Sequence, residues 1–440
     1  MTQQSKPIVL LLLCTVVVCI ALVAFVPRYE NNKPAKPTIA CATPEKACVF
    51  LTLTGLAPFD TSQVMVNSKL IDASLRSGLS WLMQAQQQNG GWGAGTHERQ
   101  NVLDPHAVQA DPATTALVGM ALLRTDEKPF DGSHAVQLKK AVGFLLKAVD
   151  NTSAQMVNIT TLTNTQPQTK LGKNIDVILT AQFFSNALHY MDKNNPLKDQ
   201  VTSALQKCVG KIQQAQDNDG GWKDGGWAPV LQSALANNAL EGAKDMGAKV
   251  DDKALERSRT YQKQNYDVKT NSVVTGKAAG VMLYSVSGSA RASAKESRVA
   301  KETIDKAKKE GTLDQKAEVN EANLEKAGLS KTEAQKYATA YKIRGAAASK
   351  AQENNVVTGF GNNGGEEFLS YLMTGESLII GDNNDWKSWY EKMSGRLVQI
   401  QNGDGSWNGH HCITSPVFCT ATCLLILSID KDIEFLIKTK

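Results

Sequence analysis

Chemistry-bearing side chains gather at a few places in this chain. His410-His411-Cys412 stand together, and Cys419 and Cys423 follow shortly after. Imidazole nitrogens and thiolates at this density suit zinc, which makes Cys412, Cys419 and His411 candidate metal ligands. Adjacent histidines rarely face the same way, and the Cys-x6-Cys-x3-Cys spacing matches no common zinc finger. A Cys412–Cys419 disulfide or plain core packing therefore stands beside the metal reading. Cys419 and Cys423 lie one helical turn apart on one face, a spacing that suits two ligands and suits a mutual disulfide poorly. Glu366 and Glu367 follow Gly364-Gly365 at the start of an apolar run, where acids interact favourably with the helix dipole. With His410 and His411 they are also candidate acid–base groups. Glu376 lies within the apolar run Leu369–Ile380, and a carboxylate facing a cavity from there has a perturbed pKa. Asp111, ahead of Pro112, reads as a helix N-cap or as a catalytic acid. The chain has no P-loop, dinucleotide fingerprint, Gly-x-Ser-x-Gly or His-Glu-x-x-His.

The elements that must position these groups are helices. The phrase Gln-x-x-x-Gly-(Gly/Ser)-Trp occurs at Gln86–Trp92, Gln216–Trp222 and Gln401–Trp407, each copy between two apolar-periodic stretches. Its glycines allow the positive φ a helix end needs, the indole folds back over the turn, and the Gln reaches loop backbone. Helices pair throughout, an amphipathic first member with a more apolar second one. The expected pairs are 69–88 with 113–124, 135–149 with 176–190, 198–216 with 230–245, 252–266 with 273–286, 331–351 with 366–380, and 386–401 with 417–429. Thr115-Ala116, Thr180-Ala181, Ser233-Ala234 and Thr420-Ala421 place small groups where inner helices must approach closely.

The repeated phrase resembles the glutamine–tryptophan repeat of squalene/hopene cyclases and protein prenyltransferase β-subunits. That resemblance implies an all-α fold, an (α/α)6 toroid over residues 68–432, with a charged helical insert at about 290–330. It further implies an isoprenoid or other apolar ligand. The cyclases protonate a terpene with an Asp-x-Asp-Asp-Thr-Ala stretch, and the nearest match here is Asp111-Pro112-Ala113-Thr114-Thr115-Ala116. Asp111 matches the first acid, while Ala113 and Thr114 replace the proton-delivering ones. The prenyltransferases hold zinc with an Asp-x-Cys pair and a His. The corresponding positions fall near Glu366-Glu367-Phe368 and on Cys419, a departure at two of three ligands. The leading expectation is a binding or scaffold module. The alternative is a divergent isoprenoid-handling enzyme whose site draws on Glu366, Glu367, His410, His411, Cys412 and Cys419.

Ile8 to Val26 carry no charge over nineteen residues, long enough to cross a bilayer as a helix. We expect a cytoplasmic segment 1–7, a signal anchor 8–26 at the cell membrane, a Pro-rich linker 27–67 and an extracytoplasmic main domain. The net charge of +5 is local, because residues 289–351 hold 14 Lys/Arg against 9 Asp/Glu and leave the rest balanced at 34 against 34. Nucleic-acid binding is therefore not expected. The charged insert is an expected solvated face and a candidate docking site for a protein partner.

Overall fold

The computed structural model describes residues 68–222, 224–267, 269–270, 272–275, 281–357, 364–380 and 385–432. The expected anchor at 8–26 and the linker at 27–67 lie outside these residues. No described helix is long and apolar enough to cross a membrane.

The described chain is almost entirely helical. In order it forms α1 (Ser68–Gln84), α2 (Pro112–Thr125), α3 (Ala135–Asp150), α4 (Gln166–Leu171), α5 (Ile175–His189), α6 (Lys198–Ala215) and α7 (Pro229–Asp245). Then come α8 (Asp252–Lys263), α9 (Met282–Lys309), α10 (Glu321–Lys326), α11 (Lys331–Lys350), α12 (Asn354–Val357), α13 (Gly365–Ile380), α14 (Asp385–Gln399) and α15 (Pro416–Leu427). A two-residue antiparallel ribbon pairs Tyr266 with Val273 ahead of α9.

Contacts sort the long helices into two layers. α2 packs on α5, α5 on α7, α7 on α9, α9 on α13, α13 on α15, and α15 returns to α2. This closed inner ring explains why every residue of α13 and α15 is buried: each helix has a neighbour on both flanks and an outer helix behind it. α1, α3, α6, α8, α11 and α14 form the outer layer. The inner helices run the same way. First turns meet where the Asp176 carboxylate accepts from the Ala113 N–H and Glu366 accepts from the Ile413 N–H just ahead of α15. Later turns meet where Arg124 reaches both Glu376 and the Leu425 carbonyl.

The Gln/Trp phrase builds three near-identical corners. The indole Nε1–H donates to the carbonyl ten residues back in each: Trp92 to Leu82 (2.8 Å), Trp222 to Ile212 (2.9 Å) and Trp407 to Leu397 (2.8 Å). Each Gln side-chain amide donates twice, once to the glycine carbonyl of its own turn and once to the next outer helix. Those distant acceptors are Gln137 in α3, Ala254 in α8 and, for Gln401, Ser74 in α1 at 3.0 Å. The last bond joins the sixth helix pair to the first and closes the outer layer. At this corner Gly405 has φ 94°, and a Cβ there would lie 2.7 Å from the Ser77 carbonyl oxygen of α1, so only glycine fits. The inner helices after these three corners all begin with proline next to the cap: Pro112, Pro229 and Pro416.

The charged insert departs from expectation. Residues 290–309 are no excursion; they continue α9, whose 28 residues run about 42 Å at the α-helical rise. Ala290 to Ala294, Glu296 and Ser297 are buried inside the ring. Beyond it, Ala300, Ile304 and Ala307 recur at helical spacing and pack with Leu313, Leu324, Ala334 and Ala338 into a second small core. The segment expected to be a solvated face thus buries an apolar stripe, because α9 supplies a wall for it. The inner helix of this pair also begins at Met282, not at 273, because the ribbon occupies the residues before it.

Gln401→Ala removes the bond that closes the ring and leaves two carbonyls without that donor. The expected loss is about 1–3 kcal/mol of unfolding free energy by denaturant titration of the full chain, with faster amide exchange in α1. Unchanged stability and exchange would show that the corner does not carry closure.

Candidate functional site

The first-turn end of the ring brings together several of the residues singled out in the sequence. At the start of α13, Gly364 N–H donates to the Glu367 carboxylate, which caps the helix. Glu366 faces the loop before α15, where its Oε2 accepts from Ile413 N–H at 3.2 Å. That loop brings His411 between the two acids: Nδ1 lies 3.7 Å from Glu366 Oε1 and Nε2 lies 3.3 Å from Glu367 Oε2. Cys412, held at φ 58°, turns its thiol onto Glu366. Burial pushes the Glu366 carboxyl above its ordinary range, although the Cys412 hydrogen bond and the His411 charge oppose the shift. Tyr284 of α9 hydrogen-bonds the same carboxylate, and its phenol is pushed up by burial and by both acids.

The donor atoms of Glu366, His411 and Cys412 lie within 4.8 Å of one another. One carboxylate oxygen, one imidazole nitrogen and one thiol form a set that zinc accepts. Glu367 Oε1 is buried without a hydrogen-bond partner beside them, so a cation there would find a further acceptor. The residues present therefore fit a metal ion. Cys419 lies behind this cluster: it is fully buried, feels the charges of Glu366 and Glu367, donates weakly to the Ile413 carbonyl and is not among the converging ligand atoms. His410 is exposed and is not among the converging ligand atoms. Cys208, Cys412, Cys419 and Cys423 are free thiols, so the Cys412–Cys419 disulfide does not form here.

Asp111 is the N-cap of α2. Its carboxylate accepts from Thr114 N–H at 2.7 Å, from the Thr114 hydroxyl and from Ala94 N–H. Its neighbour Asp176, which the sequence did not single out, accepts from Ala113 N–H at 3.1 Å and from the Gln168 amide at 2.7 Å. Burial raises Asp111 to about 6. Burial and then the Asp111 charge raise Asp176 to about 7. Burial of two neighbouring carboxyls thus keeps both above the ordinary carboxylate range.

Loops seal this end of the ring. Gln166 Oε1 accepts from Thr414 N–H at 2.8 Å and Ser415 N–H at 3.1 Å, and the Thr414 hydroxyl donates to the Gln100 carbonyl. Three connections distant in sequence are thereby tied across the inner helices.

The other end is hollow. A cavity of about 350 Å³ lies inside the ring, within the size range of small-molecule sites. Toward the sealed end it is lined by Leu117, Leu179, Leu235 and Leu369, with Met120 and Leu372 beside them. Toward the last turns it meets Arg124, Arg291, Lys295, Glu376 and Asn238. Glu376 thus does face a cavity. Burial pushes its carboxyl up, but Arg291 at 2.9 Å and Arg124 at 3.1 Å outweigh that and hold it below the usual range. The lining on α13 begins at Leu369, three residues beyond Glu366, so the metal-like cluster and the cavity are neighbours with separate linings. Arg124 and Arg291 were legible only as charges interrupting apolar and small-residue runs. Asn238 carried no sequence signal.

No protein-family profile matches the chain, and no curated protein matches it. Among solved structures it is similar to the apo form of type II terpene cyclase MstE from Scytonema, at 12% identity and a TM-score of 0.34, covering 83% of this chain and 99% of that one. It is also similar to a variant of that enzyme in complex with merosterolic acid A (product), at 13% identity and a TM-score of 0.32, covering 83% and 98%.

Two outcomes follow from this geometry. Full chain dialysed against cobalt(II) should develop a thiolate-to-cobalt absorption band that Cys412→Ser abolishes and Cys419→Ser keeps; the reverse pattern would move the ligand set to Cys419. The acid pair stabilises the fold while it holds its proton. Both folded values lie above the ordinary 3.8, so this contribution is present below about pH 4 and is lost as pH rises through about 7. Denaturation from pH 5 to 8 should therefore show a decline that Asp176→Asn flattens, by at most roughly 1.4 kcal/mol per pH unit per proton. Parallel profiles for the two proteins would contradict it.

Proposed function

We propose that this chain is a binding toroid that houses an apolar, isoprenoid-class small molecule in the cavity of its helical ring. The observation that supports this reading is the cavity itself: leucine-walled, enclosed by the inner helices and bounded by polar groups along one end. Apolar pockets with a few placed polar groups are the usual form of small-molecule sites. The nearest match to the cyclase acids also favours binding over terpene protonation, since Ala113 and Thr114 cannot deliver a proton and Asp111 serves as a cap. In this proposal the 8–26 segment anchors the chain in the cell membrane and the toroid stands outside the cytoplasm.

One observation favours a second reading, a metal-dependent isoprenoid-handling enzyme. Glu366, His411 and Cys412 converge, and they are the residues that would hold zinc. Bound there, the ion would supply Lewis acidity and lower the pKa of a thiol or water. Without it, the Glu366 carboxyl keeps its proton more readily than a solvated one, and Tyr284 orients it.

Full chain purified in detergent should bind the C15 hydrocarbon farnesene in equilibrium dialysis. Leu235→Trp, which fills the leucine floor, should weaken that binding at least tenfold while the far-ultraviolet circular dichroism stays unchanged. Folded wild-type chain that binds no apolar probe would overturn the binding reading. Turnover of an isoprenoid substrate that stops in Cys412→Ser would favour the enzyme.

A further inference from the structure

Arg291 of α9 stands inside the ring with most of its hydrogen-bonding capacity unused. It is 7% exposed and lines the cavity. A guanidinium carries five N–H donors. Here the Nε–H donates to Glu376 Oε2 at 2.9 Å. Nη1 is closed off from solvent, and the acid facing it, Glu241 Oε2, stops 3.9 Å away, beyond hydrogen-bond reach. Nη2 makes no hydrogen bond to the protein and, unlike Nη1, is not closed off. Because Arg291 is a wall residue of the cavity, Nη2 opens into that space. Buried polar groups in native proteins are nearly always paired, so an open guanidinium edge in a leucine-walled hollow bears on what the hollow holds.

The neighbouring acids are committed elsewhere. Glu376 already accepts from Arg124 at one oxygen and from Arg291 Nε at the other. Glu241 is held by Arg259 at 3.0 Å, Glu296 is shared by Arg259 and Lys336, and Asp245 pairs with Lys295. Among the described residues, the cavity wall carries the cations Arg124, Arg291 and Lys295 against the acids Glu376 and Asp245. An excess of cations beside an open N–H edge favours an anionic acceptor over a neutral one, since charge-assisted hydrogen bonds to a guanidinium are the stronger kind. The same geometry limits the charge. One open nitrogen serves one small head, and the ionised Glu376 on the same guanidinium repels a multiply charged one.

We infer that the guest is an amphiphilic acid, an isoprenoid-like chain ending in a single carboxylate that accepts from Arg291 Nη2. Its hydrocarbon body lies on Leu117, Leu179, Leu235 and Leu369 toward the sealed end, and its head meets the collar at the last turns. Glu376, gripped from both sides, holds the guanidinium so that its free edge faces the guest. This inference rests on the cavity being the binding site proposed above.

Three probes with one skeleton test it on full chain in detergent: farnesoic acid, farnesol and farnesyl diphosphate. At neutral pH farnesoic acid should bind at least tenfold more tightly than either of the others. Its carboxyl carbon, labelled with carbon-13, should titrate about one pH unit or more lower when bound than when free, the shift equivalent to a tenfold preference for the ionised form. Arg291→Met should erase the preference for the acid over the alcohol and leave farnesol affinity within twofold. Equal affinities for acid and alcohol on the wild type overturn the head-group inference, as does the diphosphate binding tightest. A bound carboxyl that titrates at or above the free value overturns it, and so does a preference that survives Arg291→Met. The ranking and the titration on the wild type decide the question even if the variant does not fold. Failure of farnesoic acid, farnesol and farnesene alike to bind instead sinks the cavity as a binding site.

Discussion

A hydrogen bond from an indole to a carbonyl ten residues back is the contact on which this architecture depends. It fixes the angle at which an outer helix hands the chain to an inner one. The glutamine of the same phrase then ties that corner to the next outer helix. Each corner thus joins two helix pairs, and the copy at Gln401–Trp407 reaches back to Ser74 near the start of the described chain. A ring needs such a long-range bond, because six pairs set at slightly wrong angles would spiral open.

Closure has chemical consequences. Parallel inner helices send all their first turns to one end and all their last turns to the other. At the first-turn end the unpaired N–H groups attract carboxylates, and Asp111, Asp176, Glu366 and Glu367 gather there under a lid of crossed loops. At the other end side chains of different helices meet across a hollow, and the ion pairs around Glu376 and Glu241 hold the helices at a set separation. Buried ion pairs are weak evidence for stability. Their better-supported role is register, and in this ring they determine which helix faces which.

Much of the fold was legible because the signal was local. The three phrases mark three corners, and apolar periodicity marks the helix pairs to within a few residues. Residues 290–309 were misread for a physical reason. Their serine, alanine and paired charges look solvated by composition, yet Arg291 and Glu296 are neutralised by partners from other helices that sequence spacing does not reveal. The same holds at the site. Glu366, Glu367, His411 and Cys412 could be grouped from position in the repeat, while Cys419 is buried beside both acids without joining the converging ligand atoms. Tyr284 and Asp176 matter because of what surrounds them in three dimensions, and nothing adjacent in sequence marks them.

The most direct test is a crystal structure of the chain bound to a straight-chain C10 alcohol carrying bromine on its last carbon, phased at the bromine edge. The account predicts a closed ring and an anomalous peak among Leu117, Leu179, Leu235 and Leu369. A peak at the charged collar with the chain reversed, a cavity filled by side chains, or a ring open between α1 and α14 would contradict it.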